Sequence, residues 1–221
     1  MHAHIVWDWN GTLLDDVHVA LSSTNAAIVK VGLPPMTLER YRELYRVPVW
    51  DFYEELLGRA PTDEEWATIG KEFGRLYRPG VRACELAAGS AHLLTTRRNS
   101  GITQSLCSLM PQVELLPMLR ARGIEDCFQR VDGRTGSLDV KAGKAEQMAR
   151  HLSALEDIDP ALVVVIGDAV DDAVAAAHAG ARSVLYTGGA HSRASLEKTG
   201  APVVGSLTEA VALADALVRR P

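Results

Sequence analysis

Residues 4–16 read HIVWDWNGTLLDD. The apolar run at 5–7 stops on Asp8, and Gly11-Thr12 turns the chain directly afterwards. A short apolar run that ends on a carboxylate and a glycine reads as a buried strand delivering a side chain to the edge of a sheet. The pattern returns at 162–172, LVVVIGDAVDD, where the run at 162–166 is followed by Gly167-Asp168. Two further apolar runs lie at 102–107 and 183–186, with weaker ones at 127–131 and 202–204. The segments between the later runs have helical spacing. Met148, Leu152 and Leu155 recur through 144–155, the alanine-rich stretch 171–179 stops at Gly180, and Leu207, Val211, Leu213 and Leu217 mark 207–218. Apolar strands alternating with helices predict an α/β fold, a doubly wound parallel sheet.

One region does not alternate. From 16 to 79 no strand is legible, and the chain reads as helices at 17–31, 38–45 and 50–57, with Thr37 able to cap the second. Thr62-Asp-Glu-Glu opens a fourth, its acids in the first turn where the helix dipole favours them. Residues 16–79 are therefore expected to form an all-helical insertion, with 1–15 and 80–221 making the α/β core.

The totals set bounds. With 221 residues, 47% of them hydrophobic and 23% charged, the chain can bury a substantial core. A net charge of −5 gives no electrostatic reason to expect nucleic acid or a membrane surface as partner. No apolar run is long enough to span a bilayer. Cys84, Cys107 and Cys127 are odd in number and lack metal-ligand spacing, which suits reduced thiols in the cytoplasm. Nothing in the sequence speaks to oligomeric state.

In open α/β sheets the ligand lies beyond the carboxyl ends of the strands. The residues expected there are Asp8, Asn10 and Thr12 after the first strand, Ser108 after the second, and Asp168, Asp171 and Asp172 after the run at 162–166. Lys141 and Lys144 precede a helix on the way. Each has a use in phosphoryl transfer. A carboxylate can attack phosphorus, further carboxylates can hold Mg²⁺, and hydroxyl and ammonium groups can hold phosphoryl oxygens.

These motifs resemble the four motifs of the haloacid dehalogenase-like (HAD) hydrolase superfamily. The stretch DWNGTLLDD stands for the first, the strand ending at Ser108 for the second, a helix-leading lysine for the third and VVVIGDAVDD for the fourth. The helical insertion resembles the small cap of that family, and AAAHAGARSVLYTGG (175–189) is similar to its phosphoglycolate-phosphatase-like branch. The resemblance implies a Mg²⁺-dependent phosphatase acting on a small phosphorylated metabolite through an aspartyl-phosphate. It makes Asp8 the nucleophile and a metal ligand, and gives Asn10 the acid/base position, whose main-chain carbonyl also meets the metal. Thr12 supports the loop, and Ser108 and Lys144 hold phosphate, with Lys141 as the alternative lysine. Asp168 holds the metal, and Asp172 either holds it too or stands behind a ligand. Arg46, between cap helices, is a candidate contact for a substrate anion.

Asn10 departs from the pattern. General acid–base help is worth ~10²–10⁴-fold, roughly 3–5 kcal/mol of barrier, and an amide cannot supply it. The departure leaves room for a substrate with a good leaving group, for a substitute acid from a histidine or a cap side chain, or for a catalytically weak protein that binds a phosphorylated ligand. A phosphonatase-type or dehalogenase-type hydrolase is a further alternative. On sequence alone, Asn10→Asp is expected to raise turnover of alkyl phosphates, and the Asn10-Gly11 pair is a candidate for deamidation to the same end.

Overall fold

Strand β1 (His4–Trp7) is buried along its whole length: a strand pairs with each of its edges and an apolar cluster covers each of its faces. In the computed structural model, which describes residues 2–136 and 143–219, β1 pairs in parallel with β2 (Gln104–Pro111) and β4 (Val163–Gly167). Beyond them lie β3 (Val131–Arg134), β5 (Arg182–Tyr186) and β6 (Val203–Val204). The six-stranded parallel sheet has the order β3-β2-β1-β4-β5-β6. Successive side chains of β1 go to opposite faces. Ile5 and Trp7 pack with Leu106, Val164 and Ile166 on one side, and Val6 packs with Cys107 and Val165 on the other. Two covered faces explain why the strands read as apolar runs rather than alternating ones.

The helices complete the layers: α5 (Ser90–Asn99), α6 (Gln112–Ala121), α7 (Ala145–Ser153), α8 (Val170–His178), the short α9 (Arg193–Glu197) and α10 (Leu207–Leu217). The chain winds away from β1 through β2 and β3 on one side and through β4, β5 and β6 on the other. The reversal of winding at β1 and β4 opens a crevice at their carboxyl ends, where ligands of such sheets bind.

Between β1 and α5 the chain is helical: α1 (Val17–Lys30), α2 (Leu38–Leu44), α3 (Val49–Leu57) and α4 (Asp63–Ala83). This insertion buries its own apolar cluster, including Ile28, Tyr41, Phe52, Tyr53 and Ile69. Thr37 caps α2, and Thr62 and Glu65 form a reciprocal capping box on α4. Helix α4 continues through Pro79 to Ala83. The two connections to the core run side by side, Asp15 N–H donating to Glu85 O at 3.0 Å and Ala87 N–H to Leu13 O at 2.8 Å.

Two expected strands shift. The second runs on past Cys107 to Pro111 because β3 keeps pairing with it beyond a register irregularity. The weak run at 127–131 lies mostly before its strand: Cys127 closes a short 3-10 turn, and β3 starts at Val131.

Candidate active site

Asp8 is the first residue past β1, and its N–H still donates to Ile166 O at 2.9 Å, so the sheet ladder fixes its backbone. The chain then turns tightly, with Thr12 N–H and Leu14 N–H both directed at Trp9 O. Gly11 adopts φ 75°, in the left-handed region. Glycine is needed there for space as well, since a Cβ would lie 2.6 Å from Asp168 Oδ2. Asp168 itself follows β4. Its Oδ1 accepts from Thr12 Oγ at 3.0 Å and its Oδ2 from Ala190 N–H at 2.7 Å.

Asp172 reaches the same point from the first turn of α8, its Oδ2 accepting from Ala169 N–H at 3.1 Å. Gly167 makes room for it, because a Cβ there would overlap its carboxylate. One oxygen from each of Asp8, Asp168 and Asp172 lies within 4.8 Å of the others. Lys144, immediately before α7, completes the cluster. Its Nζ donates to Asp8 Oδ1 at 2.5 Å and to Asp172 Oδ1 at 2.7 Å. Its main-chain N–H donates to Asp171 Oδ2 at 2.9 Å, so Asp171 positions the lysine rather than joining the cluster.

Electrostatics follow from the crowding. Burial pushes Asp8 up to about 7, with Lys144 pulling down and Asp172 pushing up. Burial likewise drives Asp168 well above the usual carboxylate range, and the Asp8 and Asp172 charges add to it. Burial opposes the charge on Lys144, yet Asp172 and Asp8 hold it protonated well above its ordinary range. Ionising all three carboxylates against one ammonium would leave two unpaired negative charges in a desolvated site, which is what holds Asp8 and Asp168 up. Hard oxygen donors and that charge deficit fit a divalent cation such as Mg²⁺.

Asp8, Thr12, Lys144, Asp168 and Asp172 thus come together. Ser108 lies on β2 one residue beyond the level of Asp8, buried, with its hydroxyl accepting from Met110 N–H at 3.1 Å. Asn10 directs the nitrogen end of its amide to Asp16 and Tyr77. Arg46 does not join: it is half exposed and its guanidinium pairs with Glu55 on α3. Lys141 lies outside the described residues. Trp7 and Trp9 are fully buried in the core, Trp7 Nε1 donating to Gln104 at 3.1 Å.

Two aromatic neighbours escaped the sequence reading. Tyr45, at the end of α2, has its hydroxyl pushed up by burial and then by the charges of Asp168, Asp16 and Asp8, so the field of the acidic cluster reaches this residue of the insertion. His191 is 3% exposed, lies edge-on to Tyr45 at 5.4 Å between ring centroids, and has an Nδ1 with no hydrogen-bond partner. Burial holds the ring down to about 4, so it is neutral at pH 7. Adjacent Tyr45 and Arg46 offered no sequence signal for which of the two turns inward. A surface groove of about 450 Å³ on the insertion, between Leu33, Pro35, Leu44 and Leu56, is lined by none of Asp8, Asp168 and Asp172.

Comparison with known proteins supplies context for this geometry. Residues 5–186 match the family described as haloacid dehalogenase-like hydrolase. The chain is 24% identical over 192 residues to a phosphoglycolate phosphatase of Synechococcus elongatus, covering 87% of each. It is 27% identical over 191 residues to a phosphoglycolate phosphatase of Chromobacterium violaceum, covering 81% of this chain and 82% of that one. A crystal structure described as a predicted phosphatase from Clostridium acetobutylicum superposes with a TM-score of 0.80 at 19% identity, covering 99% of both chains. A haloacid dehalogenase-like family protein from Streptococcus pneumoniae gives 0.79 at 17% identity, covering 96% of this chain and 98% of that one.

Proposed function

The chain belongs to the haloacid dehalogenase-like hydrolase family, and from that premise we propose that it is a Mg²⁺-dependent phosphatase acting on a small phosphorylated metabolite through an aspartyl-phosphate on Asp8. The observation that carries this reading is the convergence of Asp8, Asp168 and Asp172 around Lys144 at the carboxyl edge of the sheet. The names of the relatives agree with it.

In this reading an Asp8 oxygen attacks phosphorus while the bond from phosphorus to the leaving oxygen breaks, and the leaving group takes that electron pair. Lys144 and the Ser108 hydroxyl hold phosphoryl oxygens, and Thr12 keeps Asp168 oriented. Water then attacks phosphorus as the bond to Asp8 breaks, Asp8 keeps that electron pair as a carboxylate, and both water hydrogens leave on the inorganic phosphate, which passes any excess proton to solvent. Asp8, Asp168, Asp172 and the Asn10 main-chain carbonyl would hold the Mg²⁺, which neutralises charge on the transferring phosphoryl group. Asn10 has no proton to give, so the reading favours substrates whose leaving group departs as a weak base, such as acyl phosphates and anhydrides, over simple alkyl phosphates. The helical segment 16–79 serves as the cap that closes over the site, with Tyr45 as its contact. Among the described residues no helix is long and apolar enough to cross a membrane, and the cysteines are free; both accord with a cytoplasmic enzyme.

The test is turnover of acetyl phosphate and p-nitrophenyl phosphate with Mg²⁺. Activity should vanish with EDTA and fall on the order of 10³-fold or more in Asp8→Asn. Acid-quenched wild type should carry a phosphoryl adduct on the peptide containing Asp8. Full activity in Asp8→Asn, or silence of wild type on both substrates, would overturn the reading.

A further inference from the structure

Asp16 stands at the N-cap position of α1, where a carboxylate ordinarily accepts from the first amides of the helix. Its side chain makes no such bond. It turns back to the loop after β1 instead, where Oδ1 accepts from Gly11 N–H at 2.8 Å. Its Oδ2 accepts from Asn10 Nδ2 at 2.8 Å and from the Tyr77 hydroxyl at 2.5 Å. The Tyr77 oxygen in turn accepts the other Asn10 Nδ2 hydrogen at 2.8 Å. Asp16 is 3% exposed, so these partners replace water rather than compete with it. A carboxylate only accepts, so the nitrogen end of the Asn10 amide must face it. Both amide hydrogens are engaged, and among the described residues no group donates to Asn10 Oδ1.

We propose that Asp16 and Tyr77 are positioning residues that hold the Asn10 carbonyl oxygen as the acceptor for the attacking water, and that the amide at 10 and the carboxylate at 16 depend on each other. The proposal rests on the aspartyl-phosphate reading above. Asn10 Oδ1 accepts a hydrogen bond and fixes the direction of the water oxygen; it takes no proton. Tyr77 belongs to α4 of the insertion, so the arrangement is complete only when that helix lies against the β1 loop.

The interdependence revises the expectation for Asn10→Asp. A carboxylate at 10 would face the buried carboxylate of Asp16, and one Tyr77 hydroxyl cannot donate to both. The substitution should therefore lower turnover. Deamidation is opposed as well, because the Gly11 nitrogen that would close the succinimide is held by Asp16. Exchanging the two residues, Asn10→Asp with Asp16→Asn, puts back one carboxylate and one amide with every donor matched.

The experiment measures kcat and KM on acetyl phosphate with Mg²⁺, together with thermal midpoints, for wild type, Asn10→Asp, Asp16→Asn, the double exchange and Tyr77→Phe. Each single substitution should lower kcat by about tenfold or more with KM changed by less than about threefold. The double exchange should recover kcat to within about threefold of wild type and recover the midpoint. If a single variant fails to fold, a folded double exchange supports the pairing and an unfolded one overturns it. Asn10→Asp as active as wild type, or a double exchange no better than the worse single, also overturns it. A wild type silent on acetyl phosphate counts against the phosphatase reading instead, and the midpoints of the four variants still decide the pairing.

Discussion

The Lys144 ammonium donates to the Asp8 carboxylate at 2.5 Å from a residue that is 2% exposed. Its second bond, to Asp172, makes it the cation that lets three buried acids share one site. Removing one partner of a buried pair costs about 3–5 kcal/mol because the other charge stays behind. Lys144→Met should be destabilised by about 3 kcal/mol in EDTA, read from urea unfolding. Mg²⁺ should restore part of that loss, and should raise the thermal midpoint of the variant more than that of wild type. A variant as stable as wild type in EDTA would show that the lysine does not neutralise the cluster.

Tyr45 and Arg46 are neighbours with opposite surroundings. The tyrosine hydroxyl feels Asp168, Asp16 and Asp8, whereas the arginine pairs with Glu55 at the surface. Tyr45→Phe should raise KM or lower kcat by about fivefold or more, the scale of one hydrogen bond that the hydroxyl would make to a bound substrate. Arg46→Gln should shift the thermal midpoint by less than about 3 °C, as exposed ion pairs contribute little, and should leave KM within about twofold. A larger kinetic effect at Arg46 than at Tyr45 would reverse the assignment.

Two left-handed glycines separate backbone strain from steric conflict. Gly11 has φ 75° and Asp168 against it, whereas Gly123 has φ 65° and open space. Gly123→Ala should cost about 1–2 kcal/mol, the price of the conformation alone. Gly11→Ala should cost more and also displace Asp168, so that phosphatase activity falls while Gly123→Ala retains it. Equal behaviour of the two variants would contradict the close packing of Gly11 on Asp168.

Much of this arrangement is legible in the chain because its cause is local. Residues 5–7 and 162–166 are apolar on both faces, which only a covered parallel strand requires, and Asp8 and Asp168 follow from where those strands stop. Other parts depend on distant neighbours. Helix α6 buries Leu115, Met118 and Leu119 at helical spacing, but Pro117 stands inside it and reads as a break, and α5 buries only Ser90, Leu94 and Arg97, which is no apolar stripe. The length of β2 is set by β3, which no property of residues 108–111 announces. Asp16 lies 61 residues from Tyr77, and only the fold brings them together. The signal available beforehand was chemical: an amide at position 10 has donors that need acceptors, and the Asp15-Asp16 pair a turn away could supply one.

His4, on the central strand, gives the sheet a pH dependence independent of the carboxylate cluster. It is 2% exposed, its Nδ1 meets Thr103 Oγ and its Nε2 meets Ser105 Oγ, both at 2.9 Å. Ser105 Oγ also meets His151 Nε2 at 2.8 Å, and His151 Nδ1 meets Asp132 at 2.7 Å. That serine–histidine–aspartate chain has the connectivity of a nucleophilic triad, but Ser105 is 0% exposed and holds the sheet together instead. Burial, then the nearby charges of His151 and Arg97, push His4 from 6.5 down to about 4. Between those values the unfolded chain binds a proton that folded His4 does not, so stability present above pH 6.5 is lost as pH falls toward 4. The loss amounts to about 2 kcal/mol at pH 5 relative to neutral pH. His191, also held down to about 4, adds a loss of the same sign. Urea unfolding at pH 7.5 and pH 5 should therefore show a smaller stability difference in His4→Gln than in wild type, by about 2 kcal/mol. An unchanged difference would mean that His4 titrates normally in the folded protein.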